Sequence, residues 1–453
     1  MSFVSRPDLR PPRILMDVDL PTQQPGLVVT DVHGGTAQQG PLLIDRNGEL
    51  VWFHPVSDDG SAHRRALNVR VQNYLGQPVI TYFEGAVVDA HGEGVYRLLD
   101  NRYRLIKTVE ARRGMTGDLH ELLLTEEGTA LFTVYGTASG DLRPVGGPER
   151  GLYFYGEVQE VDVATGELLF SWRSDHHVGF DESYTRPSAK GVWDYFHINS
   201  INVDPDDGNL IVSSRCCWAF YKINRRSGEV IWRLGGKGSD FAVDADARFA
   251  WQHDVTPLGR GVYTIFDNEG GPPGKPSRGL VIRADERART ASLVEQYLHE
   301  PPLYSIVLGS VQTLGAGHRF VGWGTTSYFT EYSGSGRPVL DAHLEGRGLE
   351  SYRAFKLPWN AEPTERPALV AESHGDVTLA YVSWNGATGV ARWGVSAGTS
   401  ASGLHPVGVS DRMGFETVIT IRGVYSHLQV EALDDAGRPL LASEVVTTEP
   451  GGR

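Results

Sequence analysis

The chain has 453 residues, 40% of them hydrophobic and 22% charged, with a formal net charge of -14. It is longer than one typical domain, and its composition is that of a folded globular chain rather than a disordered or fibrous one. The acidic balance excludes a general affinity for a nucleic-acid backbone or an anionic membrane, but leaves room for a local cationic pocket.

Taken in chain order, the N-terminal stretch MSFVSRPDLRPPRILMDV has no long apolar core. A cytoplasmic location is therefore expected, or an extracytoplasmic one if a leader has been trimmed. No run approaches the length of a membrane span. PGLVVTDVHGG (25–35) precedes a hairpin, LLIDRNGELVW (42–52), and reads as a degenerate first half-repeat. VQNYLGQPVITYFEG (71–85) and LHELLLTEEGTALFTVYGT (119–137) share one form: a polar start, a glycine turn, then a strand. HINSINVDPDDGNLIVSSR (197–215), QHDVTPLGRGVYTIFDN (252–268) and SVQTLGAGHRFVGWGT (310–325) repeat it. QEVDVATGELLF (159–170) and YKINRRSGEVIW (221–232) supply second hairpins, with Thr-Gly and Ser-Gly turns between alternating strands.

Between these lie the only two cysteines, Cys216 and Cys217. Neighbours in sequence bridge only with strain, so no disulfide framework is expected. GGKGSDF (235–241) suits a phosphate by composition, but it ends a hairpin instead of opening a helix and reads as a connecting loop. EPTERP (362–367) reads as a linker, and 376–398 and 415–447 read as short strands of a second unit.

Two hairpins per repeat, about six times over, predict an all-β fold: a six-bladed β-propeller over 1–362 and a small immunoglobulin- or fibronectin-III-like β-sandwich over 363–453. In a propeller the inner strand of each blade lines the central channel, so equivalent strand starts converge. His120, His197, His253 and Gln312 occupy matching starts, with Asn199, Gln252 and Gln72 beside them. These are the candidate site residues. The competing reading makes them hydrogen-bonding plugs around the channel. Arg278, in a Gly/Pro-rich loop, and Arg215, ending its strand, offer planar donors for an anion. Asp118, Glu121, Asp254 and Asp267 are available to orient histidines. Trp251 and Trp323 suit an aromatic ligand, as do Trp193, Phe196, Trp218 and Tyr328, although blade packing accounts for most such residues. The sequence has no zinc motif, and room remains for a structural calcium ion held by carbonyls and acids.

HINSI…SSR, IWRLGGKGSDF, F.WQHD, FDNEGG…SRGL, GSVQTL…GWG and YVSWNGATGVARW together resemble the arylsulfotransferase family of six-bladed propellers, in its actinobacterial and fungal branch. The resemblance implies sulfuryl transfer between phenolic compounds through a channel sulfohistidine, without PAPS or any other cofactor. It places His197 and His253 among the channel histidines and gives Arg278 the grip on the sulfate, with His120 assisting. It also implies a nucleophilic histidine near GSVQTLGAGH, where this chain has Gln312. Two other functions stay open: acid–base chemistry (cyclisation, isomerisation or hydrolysis) on an aromatic or polyketide-like natural product, and a non-enzymatic binding scaffold. The expected partner is a small aromatic molecule, and the expected state a monomer or homodimer.

Overall fold

The computed structural model describes residues 1–451 apart from 36–37, 57–63, 189–190 and 270–273. The fold is all-β. Helix among the described residues is confined to five three-residue 3₁₀ turns, and no helix is long and apolar enough to cross a membrane.

The strands up to residue 357 form five mainly antiparallel sheets; one is nine-stranded and joins two four-stranded sets through Gly94 and Gly117, so the sheets comprise six units. Four begin with the inner strands Arg65–Tyr74, Gly117–Leu124, Ile198–Val203 and His253–Gly259. These are the second to fifth units in chain order; the sixth begins with Ser310–Thr313 and gains Arg13–Asp19 at its outer edge. The expected first half-repeat is arranged differently. Leu27–Gly34 is the second strand of its sheet, and the inner position is filled by Ala354–Leu357 from the end of the series. The fourth unit shows how the sequence makes these sheets. Asp204–Asn209 closes one hairpin, with Gly208 at a φ of 74°. Gly228, at a φ of 77°, closes the next. Glycine supplies these positive φ values without steric cost. LIVSS and AFYKI are buried throughout, because each sheet is covered on both faces by its neighbours.

Side-chain bonds tie the inner strands together in sequence. Asp31 accepts from the Asn68 backbone N–H (3.2 Å), and Asn68 donates to the His120 carbonyl (3.1 Å). Tyr135 donates to the Ile198 carbonyl (2.7 Å), and Asn199 to that of Gln252 (2.6 Å). Asp254 accepts from the Val311 N–H (3.0 Å), and Ser310 donates to the Ala354 carbonyl (2.9 Å). The last link returns to the first unit.

Residues 368–450 form two antiparallel sheets around one apolar core that includes Trp384, Trp393, Val395 and Val430. Asn385 docks this unit by exchanging two 3.0 Å bonds with the Phe53 backbone. Cys216 and Cys217 are both buried and unbridged. Burial pushes the Cys217 thiol up to about 12.

Candidate functional site

The inner strands deliver two histidines to one place, each backed by an aspartate. His120 Nδ1 lies 2.7 Å from Asp118 Oδ2. Asp118 also accepts from Thr133 Oγ1 (2.8 Å) and the Gly92 N–H (2.6 Å). Burial alone would raise this carboxyl, but His120 and the Gly92 N–H outweigh it and hold it at about 2. His197 Nδ1 bonds Asp194 Oδ2, and His91 Nε2 reaches the same oxygen at 3.1 Å. The two imidazoles likewise overcome burial and hold the Asp194 carboxyl far below its ordinary range. Burial, with Arg215 and His120 adding to it, outweighs the pull of Asp194 and lowers His197 to about 4. It is therefore neutral at physiological pH. With Nδ1–H given to the carboxylate, Nε2 carries the lone pair.

The His120 and His197 rings stand 4.8 Å apart at 81°. Tyr135, His91 and Tyr352 complete the wall, and the Tyr352 hydroxyl donates to the His120 carbonyl (3.1 Å). His91 approaches this closely because Gly92 carries no side chain: a Cβ there would lie 2.3 Å from the Leu119 nitrogen. Below the histidines, Arg353 is fully buried. It donates to Glu121 Oε2 (2.9 Å) and the Asn199 carbonyl (3.0 Å), and lies 3.6 Å from Asp254 Oδ1.

Several expected site residues have other duties. His253 joins its Nδ1 to Asn268 Oδ1 (2.8 Å), and its Nε2 accepts the Leu308 N–H (3.3 Å), so both ring nitrogens are engaged. Burial holds it neutral, well below its ordinary value. Arg278 directs Nε at Asp267 (3.0 Å). Its Nη1 donates to the Asp246 carbonyl and Gln296 Oε1, and its Nη2 to the Arg248 carbonyl, with Glu269 at 3.6 Å. Nε, Nη1 and Nη2 are thus each bonded to protein acceptors, and this side chain braces the fold around Asp267. Gln312 exchanges bonds with the Lys356 backbone (2.7 and 3.0 Å) beside a separate cavity of about 860 Å³. Gln72 plays the same joining role toward Leu122 and Leu124 (3.0 and 2.9 Å). Gln252, just before the His253–Gly259 strand, donates back to the fourth unit, to Ser213 and to the Ser214 and Ala219 carbonyls. Asn199 joins the fourth unit to the fifth, its Oδ1 buried without a partner. Trp323 is a core residue, its indole N–H on Thr330 (2.9 Å). Of the four proposed orienting acids only Asp118 holds a histidine.

Arg215 has the free guanidinium. Its carbon lies 4.7 Å over the Trp251 ring, and its Nη2 makes a long bond, 3.5 Å, to the Ile306 carbonyl. Its Nε is buried with no acceptor, as is the indole Nε1 of Trp218. Trp251 meets Trp218 edge to face at 5.3 Å. His197, Trp218 and Trp251 all hold left-handed backbone, with φ of 53°, 51° and 57°. For bulky residues that is a strained conformation, of the kind that gathers at functional sites. Among metal-binding combinations, His91, Asp194 and His197 bring three ligand atoms within 4.8 Å of one another.

Sequence reasoning missed Asp194, His91 and Arg353. DYFH was a visible signal for the first and HGEG for the second. Arg353 had none, because its strand completes a sheet begun more than three hundred residues earlier.

The arylsulfotransferase (ASST) family matches residues 70–345, and the chain belongs to that family. That span contains every histidine of the site described above. Among solved structures, a Bacteroides caccae protein of unknown function is 11% identical, covers 73% of this chain and 98% of its own, and has a TM-score of 0.45. A mutant of the GH43 protein BlXynB from Bacillus licheniformis is 9% identical, covers 84% and 89%, and has a TM-score of 0.32. No curated protein matches the chain.

Proposed function

We propose that the six units are the blades of a β-propeller followed by a β-sandwich, and that the histidine centre transfers sulfuryl groups between phenolic compounds. One observation carries the reading. Two aspartate-backed histidines, His120 and His197, stand 4.8 Å apart beside an arginine without an acidic partner among the described residues. Family membership supports the reaction class.

In this mechanism His197 Nε2 attacks the sulfur of an aryl sulfate. The S–N bond forms as the S–O bond to the aryl oxygen breaks, and the phenolate leaves with a proton supplied by His120. The sulfo-imidazole keeps its Nδ1–H on Asp194. A second phenol then gives its proton to His120 and takes the sulfuryl group, restoring the neutral ring. Asp194 orients the nucleophile and steadies the positive charge on the sulfated ring. Arg215, in the part first given to Arg278, and the Trp218 indole N–H are the donors for the sulfuryl oxygens. Gln312 does not impair this scheme, since His197 takes the covalent role.

The test is p-nitrophenol release from p-nitrophenyl sulfate, with and without a phenol acceptor. Acceptor-stimulated release that His197→Ala abolishes supports transfer through that residue. Absence of release from the wild-type protein at every pH overturns sulfotransfer and leaves the paired histidines as an acid–base site.

A further inference from the structure

The loop GGKGSDF has no part in the mechanism above, yet it shapes a cavity of about 470 Å³ beside Trp218. Its first two residues line that cavity. Gly235 has a φ of 86°, and a Cβ there would meet the Phe249 ring and the Trp218 carbonyl at 2.7 Å. Gly236 has a φ of 68°, and its Cβ would stand 2.2 Å from the Cys217 carbonyl oxygen. Only glycine lets this loop lie so close to the strained turn that carries Arg215 and Trp218.

The remaining walls are chiefly aromatic rings, with small side chains, one acid and two cations, Arg248 and Lys275. Tyr184, Trp218, Phe241 and Phe249 line the space, with Arg248 at its exposed rim. Tyr184 lies flat on Trp218, with centroids 3.6 Å apart at 8°. Trp218 meets Trp251, and Trp251 carries Arg215, whose backbone N–H bonds the His197 carbonyl at 2.9 Å, so a chain of contacts links the cavity to the strand start that bears His197. The lining acid, Glu269, is engaged by Lys275 at 3.3 Å and Arg278 at 3.6 Å. Arg248 has no acidic partner among the described residues, in a chain with 56 acidic and 42 basic side chains. The volume lies in the range of cavities that hold drug-sized ligands.

We infer that this cavity is the subsite for the aryl body of the ligand, and that it selects two-ring phenols bearing a carboxylate at the far end. The rings pack among the aromatic walls, the carboxylate meets Arg248, and the phenolic oxygen passes Trp218 toward Arg215 and His197. The inference rests on the sulfuryl-transfer reading for the chemistry, but not for the binding.

The test therefore measures binding in the transfer-dead His197→Ala background. Tryptophan fluorescence would follow titration with phenol, 2-naphthol and 6-hydroxy-2-naphthoate. Both additional substitutions, Tyr184→Ala and Arg248→Glu, fall on exposed side chains. Expected are tighter binding of both naphthols than of phenol, and a loss of roughly fivefold for both naphthols in Tyr184→Ala, the worth of one aromatic contact. Arg248→Glu should weaken 6-hydroxy-2-naphthoate alone, by about fivefold or more. Equal affinities for one- and two-ring phenols in every variant would overturn the subsite even if the wild-type protein transfers sulfuryl groups. The expected pattern without any transfer would uphold the subsite and remove the transfer reading.

Discussion

His120 stands edge-on to His197, and each ring is held at Nδ1 by an aspartate from its own strand or the turn before it. The two environments are not equivalent. Asp118 serves His120, its neighbouring backbone, a threonine and the Gly92 N–H, whereas Asp194 is shared by His197 and His91. This pairing gives the centre one ring to attack and one to move a proton.

The first prediction concerns pH. His197 is held at about 4 in the fold, below the ordinary histidine value of 6.5, and Asp118 at about 2, below its ordinary 3.8. In both cases the folded state binds the proton more weakly than the unfolded chain. The His197 contribution to stability is complete above 6.5 and is lost as pH falls toward 4. That of Asp118 is complete above 3.8 and is lost as pH falls toward 2. Activity follows the same direction. Because the nucleophile stays neutral, the acidic limb of kcat/KM is expected near pH 4. A limb near 6.5 in a pH–rate profile would exclude His197 as nucleophile.

Arg215 and Arg278 should separate cleanly. Arg215→Ala removes a guanidinium that pairs with no carboxylate among the described residues, so kcat/KM should fall by about 10²–10³ while the melting temperature holds. Arg278→Ala leaves Asp267 buried and uncompensated. Burial already raises that carboxyl to about 6. The protein should therefore lose stability, by roughly 3 kcal/mol or more, with the chemistry per folded molecule retained. Calorimetry and initial rates on both variants check this, and the reverse pattern would return the anion grip to Arg278.

The sequence carries the convergence of two of these histidines but not the duties of their neighbours. The polar starts at His120 and His197 marked converging strands, and Asp118, two residues before His120, was an available orienting acid. Gln72, Gln312 and Asn199 shared those starts but serve another need. An inner strand must be tied to the next sheet, and a side-chain amide that both donates and accepts does this well. Pattern alone could not separate an amide that joins strands from a histidine that faces a ligand. The surroundings of the two arginines are hidden for a related reason: the acceptors around Arg278 come from residues as distant as Asp246 and Gln296, and only the fold assembles them.

Zinc should act as an inhibitor. His91, Asp194 and His197 present two imidazoles and a carboxylate within one cation's reach, a donor set that suits Zn²⁺ and not Mg²⁺. Added Zn²⁺ is expected to suppress activity, a chelator to restore it, and Mg²⁺ to have no effect. His91→Gln should blunt the zinc sensitivity of whatever rate remains. Equal sensitivity with and without His91 would place the inhibitory ion elsewhere.

The final prediction concerns Arg353, which lies beneath the histidines and in contact with three other units through Glu121, Asn199 and Asp254. Its charge is fully buried, and so is that of Glu121. Arg353→Met removes a cation from between two buried acids and should lower stability by about 3–5 kcal/mol, read as a shift in the urea midpoint. Glu121 keeps its 2.9 Å pair with Arg70, so it is only partly uncovered. Adding Glu121→Gln to Arg353→Met should recover part of the loss, because one uncompensated charge disappears with it. A double variant as unstable as the sum of the two singles would mean that Arg353 acts through packing between the units and not through this ion pair.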